Sequence, residues 1–221
     1  MNTSTSTILN FLSELSENNN KEWMDEHRAV YHESRDLFIE IVARLIEGTS
    51  KFDDELGGLE PKKCIFRLNR DIRFSKDKSP YKLNFGAAFS EEGKSVSSPG
   101  YYFHIQPGGE SFVGGGMYMP EPAQLKKIRQ EIDYNGRELK AIVDQEDFVN
   151  EFGSIQGEKL KRPPKGYQAD HPNIELLKMK GFIVLKSFSD DDLLKDSIID
   201  DVVDTFAKIK PLKDYLSVAI S

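Results

Sequence analysis

The amino-acid sequence predicts an α+β fold, an antiparallel sheet of about four to six strands with an N-terminal helical hairpin and C-terminal helices packed on it. Three observations predict it. Apolar residues recur at the helical period towards both ends of the chain, they switch to alternation in the middle, and Gly/Pro-rich turns separate the alternating runs.

Ile8, Phe11, Leu12 and Leu15 share one helical face ahead of the turn-forming Asn18, Asn19 and Asn20. Trp23, His27, Val30, Tyr31, Phe38, Ile41, Val42 and Leu45 continue the period through a longer helix that stops at Gly48. The period then changes. Phe66, Leu68, Ile72 and Phe74 alternate with Arg67, Asn69, Asp71 and Arg73, while Tyr81, Leu83, Phe85, Ala87 and Phe89 alternate with Lys82, Asn84 and Gly86. Both runs predict half-buried strands. Two more strands, Tyr101 to Gln106 and Phe112 to Met119, flank Pro107-Gly108-Gly109-Glu110, a sequence suited to a hairpin turn. Beyond Pro120 and Pro122, Leu125, Ile128 and Ile132 and then Leu139, Ile142 and Val143 restore helix. Gly181 to Phe188 predicts a further strand. Ser189 with Asp192 marks a capping-box start, and Leu194, Ile198, Val202, Phe206 and Ile209 form the inner face of a long final helix.

The chain of 221 residues suits a single domain over 1–221, with 14 Phe and 8 Tyr to fill a core. No apolar run approaches the roughly 20 residues that cross a bilayer, and the Ser/Thr-rich start lacks a secretory signal. One cysteine forms no internal disulfide. Together these features predict a cytoplasmic protein with no membrane partner. A net charge of -7 argues against coating nucleic acid through bulk charge and leaves that partner open only through a local basic face.

Such a face exists in the sequence. Between Phe66 and Lys82, six basic residues (Arg67, Arg70, Arg73, Lys76, Lys78 and Lys82) interrupt an otherwise acidic chain. Arg67 and Arg73 fall on the polar face of the predicted strand, with planar guanidinium groups suited to carboxylate or phosphate. Arg70 falls on the apolar face, where it needs either an internal carboxylate, such as Asp71 or Asp77, or a bound anion. Lys76, Lys78 and Lys82 extend the positive field. His104 alternates with Tyr102 and Gln106 on one strand face, and His104 or Asp71 is the candidate for proton transfer.

Other motifs read as structure. Gly114-Gly115-Gly116 leads into Met117-Tyr118-Met119-Pro120 rather than the Lys-Ser/Thr of a phosphate loop, and glycines within a strand allow close backbone approach or a bulge. His27 and His32 diverge on a helix, His171 lies in a loop, and no dedicated metal site or cofactor motif is present. Cys64 precedes an apolar run and is expected to be buried and unreactive.

Taken in order, Asn19-Asn20-Lys21-Glu22-Trp23, the 66–82 cassette, Gly100 to Pro107, Gly114 to Tyr118, Arg162 to Tyr167 and Lys178-Met179-Lys180 resemble a bacterial and fungal family, domain of unknown function 2461. The resemblance spans nearly the whole chain and implies no particular activity. The functional expectation therefore rests on the residues: an anion-binding groove for a phosphorylated or carboxylated small molecule. The alternative is a non-catalytic nucleic-acid or protein-interaction module that adds Lys161, Arg162 and Lys165 to the same basic face.

Overall fold

Asn20 closes the first turn of the molecule by accepting a hydrogen bond from the Trp23 amide, and with it the N-terminal segment resolves into three helices in place of the expected pair. The computed structural model describes residues 3–91, 93–95 and 97–221. Its opening helices are α1 (Thr3–Glu17), α2 (Lys21–Glu26) and α3 (Arg28–Thr49). The break between α2 and α3 is local. His27 leaves helical geometry at φ -102°, ψ 18°, a change that apolar periodicity alone does not register.

A 3₁₀ turn (Asp54–Leu56) and the short α4 (Pro61–Cys64) lead to the cassette, where the structure corrects the sequence expectation. No strand forms over the run from Phe66 to Phe74. Its root is held by isolated bridges, Ile65 to Ala87 and Asn69 to Tyr81, with Phe66 N–H donating to Gly86 O at 2.9 Å and Lys82 N–H to Leu68 O at 2.8 Å. Alternation fails because the apolar side chains meet no common surface: Leu68 is buried, Ile72 is half-buried and Phe74 is 95% exposed.

The sheet has four strands, β1 (Phe85–Phe89), β2 (Gly100–Ile105), β3 (Ser111–Met117) and β4 (Phe182–Phe188), ordered β1-β2-β3-β4 and antiparallel throughout. Gly108 and Gly109 turn the β2–β3 hairpin at φ +81° and +75°, backbone angles that favour glycine, and both amides donate to the Asp190 carboxylate. Between β3 and β4 lie α5 (Pro122–Val143), α6 (Glu146–Phe152) and α7 (Ile174–Leu177). After β4 come α8 (Asp190–Leu193) and α9 (Ile198–Ile220). The Ser189/Asp192 capping box forms as expected, but it starts the four-residue α8 rather than the long final helix.

Register assigns the two sheet faces. Phe89, Tyr101, Phe103, Val113 and Val184 point into the core, where Tyr101 meets Phe206 of α9 at 4.7 Å and Phe103 meets Phe38 of α3 at 6.2 Å. Gly115 lets α9 approach, since a Cβ there would lie 2.5 Å from Ile209 Cγ2 and 2.9 Å from Gly100 O. Tyr102, His104, Phe112, Gly114 and Leu185 take the opposite face by strand alternation.

An ionic cluster lies within the core. Lys213 of α9 is fully buried, with Nζ 2.9 Å from Asp53 Oδ2 and 2.6 Å from Glu55 Oε2. Tyr101 donates its hydroxyl to Asp53 at 2.7 Å. Burial pulls the Lys213 pKa down, but the hydrogen bonds to Glu55 and Asp53 outweigh it and raise the pKa. Lys213→Ala leaves the Asp53 carboxylate buried without its cation, and we expect it to cost about 3–5 kcal/mol in urea unfolding. A loss below about 1 kcal/mol would mean that water reaches the cluster.

Candidate functional site

The outward sheet face is flanked at one end by the cassette root and by Ser95 and Ser98 of the β1–β2 connection, and together they line an open cavity of about 440 Å³. Its floor is glycine backbone with the Ile183 and Leu185 side chains beside it. Gly100 pairs directly with Gly116, and Gly114 sits between Tyr102 and Leu185 in the adjacent row. Gly116 adopts φ +107°, and a Cβ there would lie 2.1 Å from Phe182 O, so this position excludes a side chain. The triplet therefore acts as strand backbone, as the sequence reading held.

Aromatic rings form the walls. Phe66 meets Tyr102 edge-on at 6.1 Å, and Tyr102 meets Phe112 at 5.6 Å. Gly86 makes room for Tyr102, because a Cβ there would lie 2.4 Å from the hydroxyl. Behind these walls stands His104, stacked on Phe112 with centroids 4.5 Å apart and planes at 16°. Its Nε2 lies 3.1 Å from Gln106 Oε1, an obligate acceptor, so Nε2 carries the proton. Nδ1 is then left to accept from the Tyr102 hydroxyl at 3.2 Å and from Asn84 Nδ2 at 3.4 Å. Burial pushes the His104 pKa down, against the smaller upward pull of Gln106, and favours the neutral ring.

Lys82 supplies the charge in the cavity lining. Its Nζ lies 5.5 Å from the centre of the Phe66 ring. Burial lowers the Lys82 pKa first, and the positive fields of Arg67 and Lys94 lower it further. Lys94 reaches the cassette root from the β1–β2 connection, donating to Ile65 O at 3.3 Å. Among the described residues neither Lys82 nor Arg67 is ion-paired with a carboxylate, although Arg67 helps depress the Asp71 pKa.

The other cassette cations are arranged differently. Arg70 is ion-paired with Asp77 through Nη1, which also donates to Ser79 O at 3.2 Å, while Nη2 reaches Ser75 Oγ at 3.4 Å. Hydrogen bonds from Ser79, then the one from Arg70, hold the Asp77 carboxyl well below the usual carboxylate range. Arg73 grips Asp71 bidentately, Nε to Oδ1 at 2.9 Å and Nη2 to Oδ2 at 2.6 Å. Lys78 donates to Ile72 O at 2.9 Å, and Lys76 is exposed. The structure thus sets Lys82 within the positive fields of Arg67 and Lys94, closes Arg70 and Arg73 on acids within the cassette, and sets His104 behind the cavity wall with no contact to Asp71 among the described residues.

Lys161, Arg162 and Lys165 are exposed between α6 and α7. His27 stacks on Trp23 at 4.1 Å, and His171 pairs with Asp133 at 2.9 Å. Cys64 ends α4 instead of opening a strand. It is fully buried, and burial pushes its thiol up to about 11.

Sequence reasoning missed Lys94, Ser95, Ser98, Phe112 and Leu185 as parts of the site. One signal was available: β2 carries aromatic residues on both faces, Tyr101 and Phe103 inward and Tyr102 outward, a pattern that calls for cover on both sides of the sheet. A family model described as "Conserved hypothetical protein (DUF2461)" matches residues 7–215. No curated protein and no solved structure matches the chain.

Two outcomes follow from the cassette and the thiol. Arg70 is partly exposed and its partner Asp77 more so, so Arg70→Ala should lower the thermal midpoint by less than about 3 °C. A drop several times larger would put the guanidinium at the centre of the cassette's stability. Cys64 should resist a thiol reagent in the native protein at neutral pH and react only on unfolding, whereas rapid native labelling would demand an accessible thiolate.

Proposed function

The chain belongs to the DUF2461 family of conserved hypothetical proteins, and from that premise we propose that it binds an anionic small molecule, carboxylated or phosphorylated, in the cavity over the outer sheet face. One observation carries the reading. A half-buried lysine lines an aromatic cavity, burial and then the fields of two further cations, Arg67 and Lys94, depress its pKa, and no carboxylate among the described residues pairs with it. Like charges held together at a partly desolvated site are unfavourable in the free protein, and a bound anion relieves that repulsion. Mostly apolar concave sites with a few convergent polar groups are the usual seats of small ligands.

In this reading Lys82 receives the anionic group, Arg67 and Lys94 add to its field, and the ligand body lies among Phe66, Tyr102 and Phe112. Arg70 and Arg73 act indirectly by shaping the cassette through Asp77 and Asp71. His104 buttresses the walls. Its bonds to Tyr102 and Gln106 account for both ring nitrogens, so its role here is positional rather than proton transfer to the ligand.

Thermal unfolding against a panel of carboxylates and phosphates tests the proposal. A binding anion raises the wild-type midpoint in a concentration-dependent way, and Lys82→Met weakens that anion about tenfold. A panel in which nothing shifts the wild type, or a ligand indifferent to Lys82→Met, would sink the reading. The pH dependence has a definite sign. The anion favours the charged ammonium, so affinity holds at neutral pH and falls as Lys82 loses its proton, beginning lower than the ordinary lysine value of 10.5 allows. Affinity that stays flat through this range would remove Lys82 from the binding contact.

A further inference from the structure

We propose that the ligand is a flat aromatic carboxylate, with its ring system lying on the glycine floor between Phe66 and Phe112 and its carboxylate at Lys82. The proposal rests on the anion-pocket reading and narrows it to one chemical class.

The floor is the first argument. Gly100, Gly114 and Gly116 occupy neighbouring positions on two adjacent rows of the sheet, so peptide planes face the cavity there, flanked on β4 by Ile183 and Leu185. Backbone keeps side chains off two of them, since a Cβ would lie 2.4 Å from Phe89 O at Gly100 and 2.1 Å from Phe182 O at Gly116, while at Gly114 the Leu185 side chain lies across the backbone, its Cδ2 2.6 Å from where a Cβ would stand. A surface with so little side-chain relief admits the close approach of a planar body, and knobbed or branched ligands make poorer contact with it.

The walls are the second. Phe66 and Tyr102 meet at 61°, and Phe112 is braced from behind by the stacked His104 ring. Edge-to-face and offset-stacked contacts with such rings favour an aromatic partner beyond its buried area. A flexible acyl chain of equal volume gives up several rotors on entering, whereas a fused ring gives up few. A volume of about 440 Å³ corresponds to roughly fifteen water molecules at about 30 Å³ each, ample for two fused rings and an acid group.

Polar content is the third. The side-chain hydroxyls of Ser95 and Ser98 are bonded to one another at 3.1 Å, and the Tyr102 hydroxyl is engaged with His104. A sugar phosphate would bring several hydroxyls into a mostly aromatic cavity where the Ser95, Ser98 and Tyr102 hydroxyls already bond within the protein, and few polar partners would meet them. The aromatic acid brings one charged group, and Lys82 meets it beside the Phe66 ring.

Isothermal titration with 2-naphthoate, decanoate and ribose 5-phosphate separates the possibilities. The expected result is one 2-naphthoate per chain, held at least about tenfold more tightly than the other two. Phe112→Leu should remove about that preference while leaving decanoate little changed, and Lys82→Met should weaken every anion that binds. Should Phe112→Leu fail to fold, as judged by its thermal midpoint, Phe66→Leu makes the same test. Decanoate or ribose 5-phosphate binding as tightly as 2-naphthoate, with dependence on Lys82, would overturn the aromatic class and leave the anion pocket standing. No saturable binding by any of the three would overturn both, and so would 2-naphthoate binding indifferent to the Phe112, Phe66 and Lys82 substitutions.

Discussion

Lys213 carries a charge with no exposed surface at the place where α9, the end of α3 and the centre of the sheet meet, and its neighbours are disposed to keep that charge paired. Asp53 holds the ammonium from the segment after α3, and Tyr101 donates to the same carboxylate from β2. Neither anion nor cation survives there alone, because an isolated buried charge is far costlier than a hydrogen-bonded pair. The cluster thereby fixes which way β2 faces. With Tyr101 committed inward, strand alternation turns Tyr102 outward, and a one-residue slip would exchange the two. The cavity wall is in this sense a consequence of the buried ion cluster on the other side of the same strand.

The glycine triplet shows how the two faces share one strand. Gly115 faces the core, where its missing side chain is occupied by Ile209 of α9. Gly114 and Gly116 face outward along the cavity floor. Gly114 makes way for Leu185, and Gly116 approaches the Phe182 carbonyl with a positive φ. Close helix packing and an open outer face thus arise from consecutive residues. His104 completes the arrangement by converting a polar residue on a mostly apolar face into support for two rings, one by hydrogen bond and one by stacking.

Much of this architecture was legible in the sequence because its signals are local. The turn at Gly108 and Gly109, the capping box at Ser189 and Asp192, and the apolar faces of α1 and α9 each depend on residues a few positions apart. Phe66 to Phe74 misled because alternation reports a strand only when a neighbour supplies the ladder. Here the chain pairs with residues 81 and 87 through single bridges and then turns outward into solvent. His27 interrupts a helix whose apolar period runs past it unbroken. The cavity was less visible still, since it joins Phe66, Ser95, Phe112 and Leu185 from four separate segments, and no spacing rule relates them.

Charge in the cassette illustrates the same limit with a chemical consequence. Read along the chain, six basic residues look like one field, but the acids that answer them lie within the same run. Asp71 is two residues from Arg73 and Asp77 seven from Arg70, close enough for the tip to fold back and neutralise two guanidinium groups. At the root, no carboxylate among the described residues ion-pairs with Lys82 or Arg67. Pairing between Lys82 N–H and Leu68 O draws the two legs together there, so Lys82 comes within the field of Arg67, and Lys94 joins them from the next connection. Tip and root therefore do different work. The tip uses its charge to close a loop, while the root concentrates like charge beside an aromatic cavity, and that asymmetry is why the proposed anion recognition is assigned to Lys82 rather than to the more conspicuous arginines.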